Sequence, residues 1–326
     1  MFSMKKIIAV LLCVMMVFAF SSCSDDEVTI IEDDSNLDVV VTVYPEYDWV
    51  KNIAGQVPVN ITLLLDNGVD LHSYQPTTED LVTIGTSGLF VYVGGESDAW
   101  VDSALTVTSN PAGVNVNLME ALGEELREEE VKEGMQAETE EEDEDEVEYD
   151  EHVWLSLKNA VTCVNAILDG MCEADPENAD AYKVNASAYI KELEALDSEY
   201  ASVVSEAKNN TLVFGDRFPF LYMTKDYGLD YYAAFVGCSA ESEASFETVA
   251  FLSSKVDELG LKYVLAIEGS NNGIAQTVAD NATAEDVSVL TINSLQSVTS
   301  QDLESGELSY IGIMTENLEV LRTALN

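Results

Sequence analysis

Histidine and positive charge are both scarce in this chain. Of its 326 residues only two are histidine, and 14 lysines and arginines face 61 aspartates and glutamates. A formal charge of −47 makes nucleic acid and anionic lipid headgroups poor partners, because both need clustered Lys and Arg. Cations are the natural counterpart. Cysteine is sparse as well. With Cys13 and Cys23 in an N-terminal segment, only Cys163, Cys172 and Cys238 remain. One pair of these could oxidise outside a cell, but three thiols at such spacings form neither a disulfide framework nor a zinc ribbon. No His-Glu-x-x-His string occurs, and two histidines leave no legible Ser-His-Asp set, so the chain is not read as an enzyme.

The apolar run at residues 7–20 falls short of the ~20 residues that span a bilayer. Lys5 and Lys6 before it and Ser21-Ser22-Cys23 after it are the flanks of an export signal. Small residues directly before a cysteine, with Ser24-Asp25-Asp26 behind it, resemble a bacterial lipobox. That resemblance implies a signal peptide over 1–22, a lipidated Cys23 and an acidic tether over 24–36. The expected location is extracytoplasmic, lipid-anchored to the cell membrane or periplasmic. The competing reading is an ordinary secreted protein with a chance cysteine.

Beyond the tether, strands are expected at 38–44, 57–65 and 89–93, with helices at 48–55, 78–86 and 97–105 between and after them. The wholly apolar third strand, ending at Gly94-Gly95, has the character of a buried parallel strand. A second βα series has strands at 211–214, 231–235, 263–267 and 287–292. Helices are expected at 218–227, 246–259, 271–281 and 311–325. Between the series, residues 177–208 contain neither Gly nor Pro and follow a helix expected over 156–173. The fold class is therefore α/β, with two lobes built on parallel sheets and joined by a long spanning helix. The boundaries are an N-lobe at 37–175, a linking helix at 176–208 and a C-lobe at 209–326. One stretch breaks the rhythm. Residues 124–151 hold 17 acids against Arg127 and Lys132, which reads as a disordered loop. It is either a solvated charge run or a weak cation-collecting arm.

Both histidines sit in polar-aromatic strings. His72 lies in Gly68-Val69-Asp70-Leu71-His72-Ser73-Tyr74, and His152 in Glu151-His152-Val153-Trp154-Leu155. Taken alone, a histidine beside aromatics is more often structural than ligating. Two such strings in an acidic exported chain point to metal, because neutral imidazole is the commonest protein metal ligand.

These strings belong to a larger resemblance. Thr42-Val43-Tyr44-Pro45, the His72 string, residues 89–95 followed by Trp100, the His152 string and residues 237–245 occur in the order of the metal-specific solute-binding proteins of bacterial ABC importers. The chain resembles this zinc/manganese (cluster A-I) family over 37–326. The resemblance implies a metal cleft between the lobes and delivery of the ion to a membrane permease driven by an ATPase, by a monomer. It also implies that His72 and His152 are N-lobe ligands. Where many members carry a third histidine stands Arg217, whose guanidinium has no lone pair to donate. Arg217 is expected beside the ligands rather than among them, and Asp216 either substitutes for the histidine or pairs with Arg217. Manganese-type members nominate Glu243, with Glu241 as its neighbour. The family's last carboxylate is replaced by Asn293, and Glu268, at the end of the preceding strand, either supplies the missing charge or caps a turn. Such a set suits Zn²⁺ first, with Mn²⁺ or Fe²⁺ as alternatives, and the loss of one imidazole pulls toward harder ions. The competing functions are an adhesin-like lipoprotein with a degenerate site and a secreted metallohydrolase.

Overall fold

The strand Leu37–Val41 (β1) begins the first sheet, its valines suited to a pleated, buried surface. The computed structural model describes residues 36–68, 71–108, 113–136, 147–239 and 243–326. The signal peptide, Cys23, the tether up to residue 35, the centre of the acidic run at 137–146 and Glu241 lie outside the described residues. Val59–Leu63 (β2), Leu89–Tyr92 (β3) and Val114–Asn117 (β4) complete a parallel sheet in the order β2-β1-β3-β4. β4 escapes sequence reading because four residues alternating Val and Asn give too short a signal. The second sheet is built from Thr211–Phe218 (β5), Asp230–Val236 (β6), Tyr263–Ile267 (β7) and Ser288–Ile292 (β8). It too is parallel, in the order β6-β5-β7-β8. Strand order reverses between β1 and β3 and again between β5 and β7. In such sheets ligands bind beyond the carboxyl ends of the strands at the reversal.

The helix Ala179–Glu206 (α1) has 28 residues, about 42 Å at 1.5 Å per residue. Its first half is bonded to the N-lobe, where Asn185 donates to the carbonyls of Ile53 and Ala54 and Tyr189 donates to Asp48. Its second half is bonded to the C-lobe: Tyr200 donates to the Met314 carbonyl, and Asp197 accepts from Tyr227. A single apolar core runs through both lobes and includes Trp49, Trp154, Tyr200, Phe214 and Tyr310. Trp49 meets Tyr310 edge-on at 5.2 Å, and Trp154 donates to the Ser294 carbonyl while accepting at its own carbonyl from Tyr310. A second, smaller cluster packs β5, β6 and β7 onto the helices Phe246–Leu259 (α2) and Gly273–Asn281 (α3). Among the described residues, no helix is long and apolar enough to cross a membrane.

Sequence composition predicts disorder across 124–151, and the structure corrects this at both ends. Residues 128 and 149 form an antiparallel bridge, with Glu129 N–H donating to the Glu148 carbonyl and Asp150 N–H to that of Arg127. Gln136 N–H donates to the Ala234 carbonyl on the edge strand β6, and the Gln136 side chain accepts from Ser245 N–H. Lys132 pairs with Asp230 and lies 4.2 Å over the Tyr231 ring, while Lys225 reaches Glu130. Apolar burial is not what orders this segment. Here order comes from an unpaired sheet edge and from two lysines set among the acids.

Buried carboxyls gather at the carboxyl end of the first sheet. Glu46 accepts from Thr42 N–H at 2.7 Å and Val43 N–H at 3.1 Å, and Asp98 from Gly94 N–H at 3.0 Å. Burial raises both, Glu46 well above the carboxylate range and Asp98 to about 7. A carboxyl that titrates higher in the fold than in the unfolded chain favours the fold at low pH. Its contribution is complete below about pH 4 and is lost as pH climbs through the folded value. The metal-free protein is therefore expected to melt several degrees higher at about pH 5.5 than at about pH 8 in scanning calorimetry. Asp98→Asn narrows the gap; a higher melting point at pH 8 would contradict the assignment.

Candidate metal centre

His72 stands on the single 3-10 turn Leu71–Ser73, in the loop that follows β2. That loop is tied to the other lobe, with Gly68 N–H donating to the Val298 carbonyl and Ser300 N–H to that of Asp66. His152, fully buried, precedes the turn Val153–Leu155 and packs edge-on against Trp154 at 5.3 Å. The His152 Nδ1 is 3.1 Å from Asp150 Oδ1, which also accepts the His152 backbone N–H. The His72 Nδ1 is 2.7 Å from Ser97 Oγ and 3.6 Å from Glu151 Oε2. Gly95 makes the second arrangement possible: at φ +81°, a Cβ there would meet Glu151 Oε1 at 2.3 Å, where that oxygen accepts the Ser97 N–H.

With Asp150 behind one Nδ1 and Ser97 with Glu151 behind the other, the tautomer protonated at Nδ1 is satisfied and leaves a lone pair on each Nε2. The two Nε2 atoms face each other at 3.3 Å. A tetrahedral ion with Zn–N bonds near 2.05 Å sets its nitrogens about 3.3–3.4 Å apart. The third member of the cluster is Cys238, directly after β6. The ligand atoms of His72, His152 and Cys238 all lie within 4.8 Å of one another. Gly237 lets this strand end abut the imidazole, since a Cβ there would sit 3.2 Å from the His152 ring. Glu129 Oε1 accepts the Cys238 N–H at 3.1 Å. Burial pushes the thiol well above its usual range, so the sulfur becomes a thiolate donor only when a cation displaces its proton.

The other candidates from the sequence lie outside this cluster. Glu268 takes the Ser294 N–H and hydroxyl at 2.6 and 2.7 Å and the Gln296 N–H at 3.2 Å, the work of a turn cap. Asp216 accepts from the backbone N–H groups of Arg217 and Ile267. Asn293 turns its amide oxygen to the Leu295 N–H. Glu243 is exposed, and its carbonyl accepts from Gln136. Arg217 donates to the Ser239 carbonyl and shares with His72, Asp216 and Glu268 a cleft of about 390 Å³. The register shift between Phe214 and Arg217 on β5 brings that guanidinium there. Cys238 is hard to single out in the sequence because its loop is rich in acids that could equally ligate. The signal was its place, just past an apolar strand at the edge where parallel sheets gather ligands. A thiolate also reverses the pull toward harder ions that the missing imidazole suggests. All three described thiols, Cys163, Cys172 and Cys238, are free.

A family model described as "Zinc-uptake complex component A periplasmic" (ZnuA) matches residues 39–324. The chain belongs to this family. The ZnuA family consists of solute-binding proteins of transporters rather than enzymes. The ZnuA-family chain is 32% identical over 323 residues to the zinc-binding lipoprotein AdcA of Streptococcus pneumoniae serotype 4, covering 98% of this chain and 61% of AdcA. It therefore spans about three fifths of the length of the streptococcal relatives it matches. It is 30% identical over 293 residues to the high-affinity zinc uptake system protein ZnuA of Bacillus subtilis, covering 89% of this chain and 88% of the relative. Among solved structures, the Zn(II)-bound ZnuA-like domain of Streptococcus pneumoniae AdcA superposes with a TM-score of 0.70 at 29% identity. That match covers 89% of this chain and 99% of the domain.

Cobalt(II) tests the donor set directly. A Cys238 thiolate on Co²⁺ gives a near-ultraviolet charge-transfer band in the loaded ZnuA-family chain. Cys238→Ala is expected to abolish the band and Glu268→Gln to keep it. A band that persists in Cys238→Ala would remove this thiol from the donor set.

Proposed function

We propose that this chain is the extracytoplasmic capture subunit of a zinc importer. Bound through a lipid on Cys23 and acting as a monomer, it takes Zn²⁺ between its lobes on His72, His152 and Cys238. It then delivers the ion to a membrane permease driven by an ATPase. The observation that carries the reading is the convergence of one nitrogen from each imidazole and one sulfur within 4.8 Å, with the two Nε2 atoms 3.3 Å apart. The zinc-binding and zinc-uptake names of the relatives support the choice of ion and of process. So does the donor chemistry: thiolate with imidazole favours Zn²⁺ over Mn²⁺, which prefers oxygen. Cys238 also weakens the case for an adhesin that has lost its site, since it supplies a donor where Arg217 and Asn293 cannot.

Capture and release in this reading are local events. The lobes share one core and one long helix, so the movable parts are the loop of His72 and the acidic segment beside Cys238. Thiolate formation releases a proton on binding, and Asp150 and Ser97 hold the imidazoles in the ligating tautomer throughout.

Calorimetric titration of the purified chain tests this. One tight equivalent of Zn²⁺ is expected, with proton release that varies the observed heat between buffers. Mn²⁺ binds at least about a hundredfold more weakly. His72→Ala combined with His152→Ala removes the tight event and leaves only weak carboxylate binding. A tight equivalent retained in that double variant would overturn the reading.

A further inference from the structure

Three donors leave a tetrahedral ion one open vertex. His152 is fully buried, whereas His72 lines two openings. Cys238 lines only one of these, an acidic cavity of about 270 Å³. The open vertex therefore faces that cavity, whose carboxylates belong to Glu96, Glu129, Glu148 and Glu151.

These four are not equivalent. Glu151 is spent on the far side of the His72 ring, with one oxygen on the Ser97 N–H and the other 3.6 Å from Nδ1. It orients the imidazole and cannot also reach an ion at Nε2. Glu96 and Glu148 are exposed. Glu129 alone is half-buried against the cluster, with Oε1 3.1 Å from the Cys238 amide nitrogen. Among the described residues that amide is the only hydrogen-bond partner of its carboxylate, and no Lys or Arg pairs with it.

We propose that Glu129 is the fourth ligand, closing a His₂-Cys-carboxylate centre from the acidic segment. This rests on the reading of His72, His152 and Cys238 as ligands. A change of rotamer exchanges the Cys238 amide for the ion, or leaves Oε1 on the amide and brings Oε2 to the metal at the usual Zn–O distance of about 2.0–2.2 Å. The segment's ties to the C-lobe then acquire a purpose. Lys132 on Asp230, Lys225 on Glu130 and Gln136 on β6 hold Glu129 at the mouth of the cavity. The acidic run becomes part of the site instead of a remote collector of cations.

Glu129→Gln tests this, because the amide keeps an oxygen for the Cys238 N–H while removing the charged donor. Glu148→Gln, which removes the same charge from the same cavity, is the control. Zn²⁺ affinity in competition with a chromophoric chelator is expected to fall at least tenfold in Glu129→Gln and to stay within twofold in Glu148→Gln. In the Co²⁺-loaded Glu129→Gln protein the thiolate band persists and the visible d–d bands shift, which a purely structural role would not produce. Unchanged affinity and d–d bands in Glu129→Gln, or an equal loss in Glu148→Gln, overturns the proposal while leaving the three-residue reading in place. A wild-type chain that takes up no zinc overturns both.

Discussion

Asp150 behind His152 and Ser97 with Glu151 behind His72 can each accept an Nδ1 hydrogen, and in that tautomer two Nε2 lone pairs face each other at 3.3 Å. Two lone pairs at that distance repel unless a positive charge lies between them. The protein maintains this arrangement in a largely buried place, where electrostatic interactions between such groups are strongest. Much of the surrounding structure serves to keep it. Trp154 locks the His152 turn to Ser294 and Tyr310, Gly237 lets the end of β6 press on the ring, and Gly95 admits the Glu151 carboxylate.

The frame that holds the two histidines together is equally specific. His72 and His152 are 80 residues apart in sequence, and each follows a segment fastened to the opposite lobe. The loop of His72 is bonded to residues 298–300, and Asp150 is bonded through its carbonyl to Tyr222. A core continuous through both lobes, with α1 bonded to the N-lobe at one end and the C-lobe at the other, leaves little freedom for a large hinge. Access to the cluster in such a frame runs through loops. The acidic segment is the loop with the most direct access, since it touches Cys238 through Glu129.

That segment has two roles in one stretch of sequence. Its composition repels itself and cannot build a core, yet its described ends are ordered by backbone bonds to β6 and by Lys132 and Lys225. A large negative charge on the chain attracts divalent cations without choosing among them. Choice requires nitrogen and sulfur donors at fixed separations, and these lie inside.

The class of fold was legible in the sequence because βα alternation and a long stretch without Gly or Pro are local patterns. The histidines were legible for a different reason: with only two in the chain, each in a distinctive string, scarcity marked them. The third member of the cluster was not. Cys238, Glu268, Asp216 and Asn293 are all polar residues at strand ends, and local sequence cannot say which faces the cleft and which caps a turn. Only the tertiary structure decides that, because a strand-end carboxylate takes whichever backbone N–H groups the neighbouring loops bring to it. Glu268 and Asp216 are occupied in this way, and Cys238 is left facing the imidazoles.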